Sequence, residues 1–347
     1  MTDVVTIGDR RVGSGQPVMI IAEAGVNHDG DVKVAHQLVD VAAASGAEVV
    51  KFQAFDPEAV AGERAALAPY QADETQAPSQ RELLKDLTLP ASAWTELQAH
   101  ANDAGLLFLC TPFDRRSLDM LVSLGVAALK VPSGEIDNVS FLRAVAAVGV
   151  PVILSTGAST LDEVRVAVEM LAPVPTVILH CVTAYPAPLA AANLRSIRTL
   201  VDEFGVPVGF SDHTLGPTAA LAAVALGACV LEKHLTLDRS RSGPDHAASA
   251  DPTQFAEYVG LVRDVEGALG DGTKQPQPVE LPNLPLIRRS AHAARDLNPG
   301  DRLTENDVEW LRPTGGLPPS VPVAGRLVRR PVPTGSPIVD DDLEEAR

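Results

Sequence analysis

The sequence has 347 residues, of which 46% are hydrophobic and only 4% aromatic, so a large core must be packed chiefly from aliphatic side chains. Lys and Arg total 28 against 45 Asp and Glu, and the net charge of -17 argues against nucleic acid or an anionic membrane as a partner. The first residues hold no apolar signal core, and the longest apolar run, 218–231, is too short for a membrane span, so we expect a cytoplasmic protein.

Short apolar runs alternate with amphipathic stretches over most of the chain. Eight strands are predicted, at residues 18–26, 48–53, 106–112, 127–133, 151–157, 176–182, 207–212 and 229–235. Helices are predicted at residues 33–44, 91–104, 117–124, 140–147, 161–171, 194–204, 218–226 and 252–268. This alternation indicates a (β/α)8 TIM barrel. A doubly wound open sheet is the alternative, but no G-x-G-x-x-G motif follows any strand.

Three segments lie outside this alternation. A loop-rich segment at 56–78 has a length that often covers a site, with an idle surface insertion as the alternative. Residues 269–287 are rich in Gly, Pro and Gln and predict a linker after a barrel domain at 1–268. Within residues 288–347, two stretches match at an offset of 35, 295–309 and 330–344, which predicts a small β-rich module of two related halves.

Polar residues lie at or near the end of almost every predicted strand. They are Glu23, Lys51, Gln53, Thr111, Lys130, Ser133, Ser155, Thr183, Tyr185, Ser211, His213, Glu232 and His234. The carboxyl ends of barrel strands meet at one face, where barrel enzymes carry their active sites. A single residue of this kind would be read as a cap or a satisfied polar group, but so many in the same structural position predict a site.

The residue types suggest two kinds of binding. His213 and His234 end neighbouring strands and could bind one divalent cation, with hydrogen-bonded core histidines as the alternative. Cations and hydroxyl groups from several strands could bind a phosphate or carboxylate: Lys51, Lys130, Ser133, Ser155 and Ser211. Lys233, beside a carboxylate, could instead form a Schiff base with a carbonyl substrate.

Eight ordered motifs carry a family resemblance. They read IAEAGVNHDGD, VVKFQAF, FLCTPFD, LKVPSGEIDN, PVILSTG, LHCVTAYPAP, GFSDHTLG and EKHLTLDRSRSGPDHAAS. They resemble the sialic acid (nonulosonate) synthase family, and the tail resembles its antifreeze-like SAF domain, a β-clip fold. The resemblance covers almost the whole chain and implies condensation of phosphoenolpyruvate with an N-acylmannosamine-type sugar and water, giving a nonulosonic acid and phosphate.

The resemblance also implies roles for individual residues. It assigns His213 and His234 to a divalent metal, Mn²⁺ first, with Mg²⁺ or Co²⁺ as alternatives. The phosphoenolpyruvate set is Lys51, Thr111, Lys130, Ser133, Ser155, Thr183 and Ser211, although some members of the family carry Asn in place of Thr183. The residues around the sugar are Glu23, Gln53, Tyr185, Glu232 and Asp245, of which Glu23 and Glu232 could stabilise a cationic intermediate or transfer protons. Arg312 matches an arginine that the family extends into the partner subunit, which implies a domain-swapped homodimer.

Several readings remain open from the sequence. The expected acceptor is N-acetylmannosamine, and the alternatives are its phosphate and the 6-deoxy diacetamido mannose that leads to legionaminic acid. A phosphorylated acceptor would need basic residues near the loops, for which Arg239 and Arg241 are the candidates. A lysine-dependent aldolase on the same barrel is the second enzyme hypothesis. A glycan-binding tail on an inactive barrel is the hypothesis from another class.

Overall fold

The chain divides into two compact units, Met1–Gly270 and Asp271–Arg347. The computed structural model describes residues 4–68, 71–72 and 75–344. Within the predicted covering loop at 56–78, residues 69–70 and 73–74 lie outside the described residues.

The first unit is built on a parallel sheet that closes on itself. A hairpin of β1 (Val4–Ile7) and β2 (Arg10–Gly13) precedes it. The strands of the sheet are β3 (Met19–Gly25), β4 (Val49–Ala54), β5 (Leu107–Pro112), β6 (Leu129–Val131), β7 (Val152–Ser155), β8 (Thr176–Cys181), β9 (Val208–Asp212) and β10 (Val230–His234). Successive strands are neighbours, β10 pairs with β3, and β5 packs beside β6. The predicted (β/α)8 barrel is confirmed.

Helices connect these strands and form the outer layer. They are α1 (Val32–Ala44), α2 (Pro57–Val60), α3 (Gln80–Asp86), α4 (Ala93–Asp103), α5 (Arg115–Leu124), α6 (Val139–Ala146), α7 (Leu161–Leu171), α8 (Ser196–Phe204), α9 (Thr218–Ala225) and α10 (Pro252–Leu269). Several begin where a side chain caps free backbone amides; Thr160 and Glu163 form a reciprocal capping box at α7. None of the described helices combines the length and apolar character that a membrane crossing requires.

The barrel interior changes from apolar to polar along the strands. Side chains alternate across a strand, so on β10 Val230, Glu232 and His234 face the interior while Leu231 packs against the helices. The apolar interior layers are tight: a Cβ on Gly209 would lie 2.5 Å from the carbonyl oxygen of Val230. Because these apolar layers fill the interior toward the amino ends of the strands, the polar residues lie at the carboxyl ends.

The amino-terminal hairpin packs against the opposite end of the barrel. Its Val5, Ile7 and Val12 are buried in one cluster with the first interior residues of the strands, among them Ile21 and Leu109. The sequence analysis did not predict this hairpin. It fills the end of the barrel that carries no polar cluster.

The second unit has an internal pseudo-two-fold symmetry at the predicted offset of 35. It contains α11 (Leu284–Ile287), β11 (Ser290–Ala293) and β12 (Val308–Leu311). Arg295 donates to Asp307 at 2.7 Å, and the equivalent Arg330 donates to Asp342 at 2.5 Å. The two halves also pair with each other, through reciprocal backbone hydrogen bonds between the equivalent residues Leu297 and Val332.

Replacing Ile7 tests whether the hairpin is part of the barrel core. Because Ile7 is fully buried, Ile7→Ala should lower the free energy of unfolding of the barrel by about 2–5 kcal/mol. Thr6→Ala, at the exposed neighbouring position, should change it by less than about 0.5 kcal/mol. Each unit holds one tryptophan, so urea unfolding followed by Trp94 fluorescence in a Trp310→Phe background reports on the barrel alone. Equal effects of the two substitutions would contradict the assignment.

Candidate active site

A cavity of about 280 Å³ opens at the carboxyl ends of the barrel strands. All the residues of the first unit that the family resemblance assigned to the metal or the substrates line it: Glu23, Lys51, Gln53, Thr111, Lys130, Ser133, Ser155, Thr183, Tyr185, Ser211, His213, Glu232, His234 and Asp245. Arg312 belongs to the second unit and is exposed, directly after β12. The barrel therefore brings together residues more than 200 positions apart in the chain.

Two lysines and two glutamates form a buried ion cluster at the centre of this cavity. The Lys51 ammonium pairs with Glu23 and lies 3.1 Å from Glu232 Oε2, and the Lys130 ammonium lies 3.4 Å from Glu232 Oε1. None of the four residues is more than 5% exposed. Ser211 donates to Glu232 at 2.8 Å. The four charges balance, which is why the cluster can be buried without an external counter-ion.

Burial and pairing set the protonation of this cluster. Burial lowers the pKa of Lys51 to about 7, although the Glu232 carboxylate opposes this effect. Burial alone would raise the pKa of Glu232, but Lys130 and Lys51 outweigh it and hold that pKa well below the ordinary value. Lys51 can therefore gain or lose a proton near neutral pH while Glu232 stays ionised.

Two imidazoles stand beside the ion cluster. His213 donates from Nδ1 to the carbonyl oxygen of Val182 at 2.7 Å, which leaves the lone pair on Nε2. Nδ1 of His234 is buried without a hydrogen-bond partner and lies 3.8 Å from Asp245 Oδ2; the two imidazole rings are 5.7 Å apart. Burial lowers the pKa of His213 to about 4, so the ring is neutral at physiological pH.

These donor atoms fit a metal ion that takes only some of its ligands from the protein. Within the described ranges, no group of three or more His, Cys, Asp or Glu side chains could hold a metal ion. Two neutral imidazoles, one with an unsatisfied nitrogen, suit a divalent cation whose other positions are water or substrate. Burial raises the pKa of the adjacent Asp245 to about 6.

Hydroxyl groups and backbone amides line the wall formed by β6, β7 and β8. Lys130 donates to Ser155 Oγ at 2.7 Å, and the Gly157 amide donates to Ser133 Oγ at 2.8 Å. A Cβ on Gly157 would lie 2.3 Å from Thr183 Oγ1 and 2.9 Å from Cys181 Sγ. The missing side chain of Gly157 thus lets Thr183, Cys181 and Ser133 approach its backbone closely, and the hydroxyl groups of Ser133, Ser155 and Thr183 line the same cavity as Lys130.

The outer wall of the cavity is mostly apolar, a feature that was not predicted from the sequence. It contains Val26, Phe55, Val60, Leu83, Leu84, Leu87 and Phe113, together with the polar Gln71 and Gln80. Leu83 and Leu84 come from α3, which lies after the predicted covering loop, and Leu87 directly follows this helix. The spacing of Leu83, Leu84 and Leu87 after the capping Ser79 is the helical signal that could have located this wall.

Lys233 does not reach this cavity, so the Schiff-base role considered from the sequence is wrong. It lies between the inward-facing Glu232 and His234, on the other face of β10. Its ammonium group donates to the carbonyl oxygen of Thr214 and pairs with Asp212 at 3.3 Å. The aldolase hypothesis therefore loses the nucleophile that the sequence suggested for it.

A closed barrel with a charged cluster at the carboxyl ends of its strands defines a (β/α)8-barrel enzyme. The chain belongs to the NeuB family: the NeuB family model matches residues 38–274, and the SAF domain model matches residues 288–344. The resemblance found in the sequence is confirmed, and the enzyme is sialic acid synthase-like.

Similar proteins extend over most of the chain. N,N'-diacetyllegionaminic acid synthase of Legionella pneumophila is 45% identical over 316 residues, which cover 89% of each chain. The N,N'-diacetyllegionaminic acid synthase of Campylobacter jejuni is 42% identical and covers 86% of this chain and 91% of its own. The crystal structure of N-acetylneuraminic acid synthetase from Leptospira borgpetersenii is 35% identical, with a TM-score of 0.72 over 81% of this chain and 94% of its own.

The titration of Lys51 tests the ion cluster directly. Between about pH 7 and the ordinary lysine pKa of 10.5, the unfolded chain binds more protons than the folded chain, so this amine makes the free energy of unfolding rise with pH. Glu232→Gln removes the charge that raises the Lys51 pKa, and the midpoint should move below 7. Glu203→Gln, on the exterior, should leave it unchanged.

The measurement is the ¹³C chemical shift of the Lys51 side chain against pH in lysine-labelled protein, with the signal assigned by its loss in Lys51→Met. A wild-type midpoint near 10 would show that the neighbouring carboxylates outweigh burial at Lys51, contrary to this prediction.

Proposed function

We propose that this protein condenses phosphoenolpyruvate with a 6-deoxy diacetamido mannose and water, giving a nonulosonic acid of the legionaminic type and inorganic phosphate. The observation that carries the proposal is the single cavity that joins the lysine–carboxylate cluster, the two imidazoles and the apolar outer wall. The ion cluster and the imidazoles suit the chemistry that the family shares, and the apolar wall suits this acceptor.

The inner half of the cavity is suited to phosphoenolpyruvate. Lys51 and Lys130 supply positive charge, and hydroxyl groups from neighbouring strands supply hydrogen bonds, among them Ser133 and Ser155. The negative charge of the ligand would favour the protonated form of Lys51, whose pKa burial lowers to about 7. Binding of the anion would thus restore the full charge of this lysine.

The protein groups also fit the bond changes. The methylene carbon of phosphoenolpyruvate attacks the aldehyde carbon of the open sugar, which forms a C–C bond and leaves a cation at the phosphate-bearing carbon. Water adds there, a carboxylate takes one of its protons and passes it to the alkoxide formed from the aldehyde oxygen, and phosphate leaves with C–O cleavage and takes the second proton as the ketone forms. Glu23 and Glu232, which pair with the lysines in this cavity, would stabilise the cation and transfer the proton. A divalent cation held by His213 and His234 would act as a Lewis acid toward the sugar aldehyde.

The composition of the outer wall supports the choice of this acceptor sugar. A 6-deoxy sugar presents a methyl group, and acetamido groups present further methyls, which match aliphatic and aromatic side chains such as Leu84, Leu87 and Phe113. Among the described residues, Arg239 and Arg241, the candidates from the sequence for a phosphorylated acceptor, do not line the cavity, so a phosphate beside this wall would meet neither of them. The sequence favoured N-acetylmannosamine, but the wall and the two legionaminic acid synthases among the relatives favour the diacetamido sugar.

Phosphate release tests the reaction and the acceptor together. The purified protein is incubated with phosphoenolpyruvate and Mn²⁺, and with N-acetylmannosamine, its 6-phosphate, the 6-deoxy diacetamido mannose or no sugar. We expect release with the diacetamido sugar at a kcat/KM at least about tenfold above the other acceptors, since lost methyl contacts and a buried unpaired phosphate each weaken binding. Release without any sugar, or a preference for the phosphorylated sugar, contradicts the proposal.

Metal binding by the two histidines is tested separately from activity. His234→Gln should weaken Mn²⁺ binding, measured by electron paramagnetic resonance titration, by more than about 100-fold, because it removes one of two nitrogen ligands. His100→Gln, outside the cavity, should bind Mn²⁺ as the wild type does. Equal Mn²⁺ affinity in both variants contradicts the assigned site.

A further inference from the structure

The loop between β10 and α10, residues 235–251, forms one side of the cavity, and we name it the β10–α10 loop. It has no helix or strand of its own, yet Thr236, Asp245, His246 and Ser249 are all buried. Its base is closed by a hydrogen bond from the Thr236 amide to the carbonyl oxygen of Ala250 at 2.9 Å. Pro244 and Asp245 lie in the cavity wall, so the position of this loop decides the shape of the site.

Asp29, in the loop after β3, binds the β10–α10 loop at two points. Its Oδ1 lies 2.9 Å from His246 Nε2, and its Oδ2 lies 2.7 Å from an Arg241 guanidinium nitrogen. A carboxylate only accepts hydrogen bonds, so Nε2 of His246 carries a proton. The other ring nitrogen, Nδ1, lies 2.7 Å from the Thr236 hydroxyl. Both ring nitrogens of His246, the residue after Asp245, are therefore hydrogen-bonded.

Asn27, two residues before Asp29, holds the same loop from the other side. Its amide nitrogen donates to the carbonyl oxygen of Leu235 at 2.9 Å and to Ser249 Oγ at 2.8 Å. The Ser249 hydroxyl in turn donates to the carbonyl oxygen of Asp245 at 2.5 Å. The loop also passes close over the histidine ring: a Cβ on Gly243 would lie 2.7 Å from His246 Cδ2. The backbone on both sides of Asp245 is thus fixed.

We propose that Asp29 and His246 are positioning residues that set the sugar specificity of this site by holding Asp245 and Pro244 against the acceptor. The inference rests on the proposed function and deepens it. Neither residue lines the cavity, so each acts through the loop. The phosphoenolpyruvate side is supported differently, since Lys51, Lys130 and Ser155 stand on the barrel strands themselves.

This difference predicts that loss of the loop contacts changes the KM for the acceptor much more than the KM for phosphoenolpyruvate. Asp29→Ala removes both contacts to the β10–α10 loop and should raise the KM for the acceptor by about tenfold or more, because small misplacement of a positioned group strongly reduces its effect. The KM for phosphoenolpyruvate should stay within about twofold. Asp29→Asn keeps an oxygen that can accept from His246 and should recover part of the acceptor KM.

Asp31→Ala is the matched control. Asp31 lies in the same loop and also accepts hydrogen bonds, but its carboxylate caps α1 through the Lys33 amide at 2.7 Å and has no described contact to the β10–α10 loop. It should leave the KM for the acceptor unchanged. Both kinetic constants are measured by phosphate release, and hydrogen–deuterium exchange of peptides covering 236–250 is followed without substrates. Exchange should rise in Asp29→Ala and not in Asp31→Ala.

The outcomes separate this inference from the proposed function. If the wild type releases no phosphate with any acceptor, the proposed function is overturned and the inference falls with it. If the wild type is active but Asp29→Ala keeps its acceptor KM, the inference alone is overturned. Unchanged exchange at 236–250 in Asp29→Ala also overturns it, because the two contacts would then not hold the loop. An equal rise of both KM values points to general loss of the site and overturns it as well.

Discussion

The buried pairing of Lys51 and Lys130 with Glu23 and Glu232 is the constraint on which the rest of the barrel depends. Each ion would cost several kcal/mol to bury alone, and removing one partner would leave another charge uncompensated. The four residues come from β3, β4, β6 and β10, which only a closed sheet brings to the same point. The apolar interior below and the helices around the sheet bury the cluster on every side except that of the cavity, so fold and site require each other.

Most of the cavity residues could be predicted because, in a barrel, the position of a residue along its strand determines where its side chain lies. Period-two alternation places every second residue of a strand inside, and the last inward residue of each strand lies at the same face. Glu232 and His234 follow this rule, and so does Lys233, which the same alternation places outside. Reading the alternation strictly would have excluded Lys233 as a nucleophile from the sequence alone.

The remainder could not be predicted, for physical reasons that differ from case to case. The hairpin of β1 and β2 has strands of only four residues, and only its packing under the barrel makes it stable. The spacing of Leu83, Leu84 and Leu87 predicts an apolar helix face, but that this face lines the cavity depends on contacts with residues distant in the chain. The pairing of each lysine with a carboxylate is a matter of distances between strands, so the sequence suggested free cations where the barrel holds balanced ions.

The plugged amino-terminal end has a kinetic consequence for the enzyme. With the hairpin and the apolar layers filling one end, every molecule that enters or leaves the cavity passes the apolar wall and the β10–α10 loop. Lys130 and Ser155 lie on the strands, deeper than Leu84 or Asp245, so an anion bound to them is covered by whatever occupies the outer half. A barrel with one open mouth would therefore impose an order on two ligands: the inner ligand would bind before the outer one and leave after it.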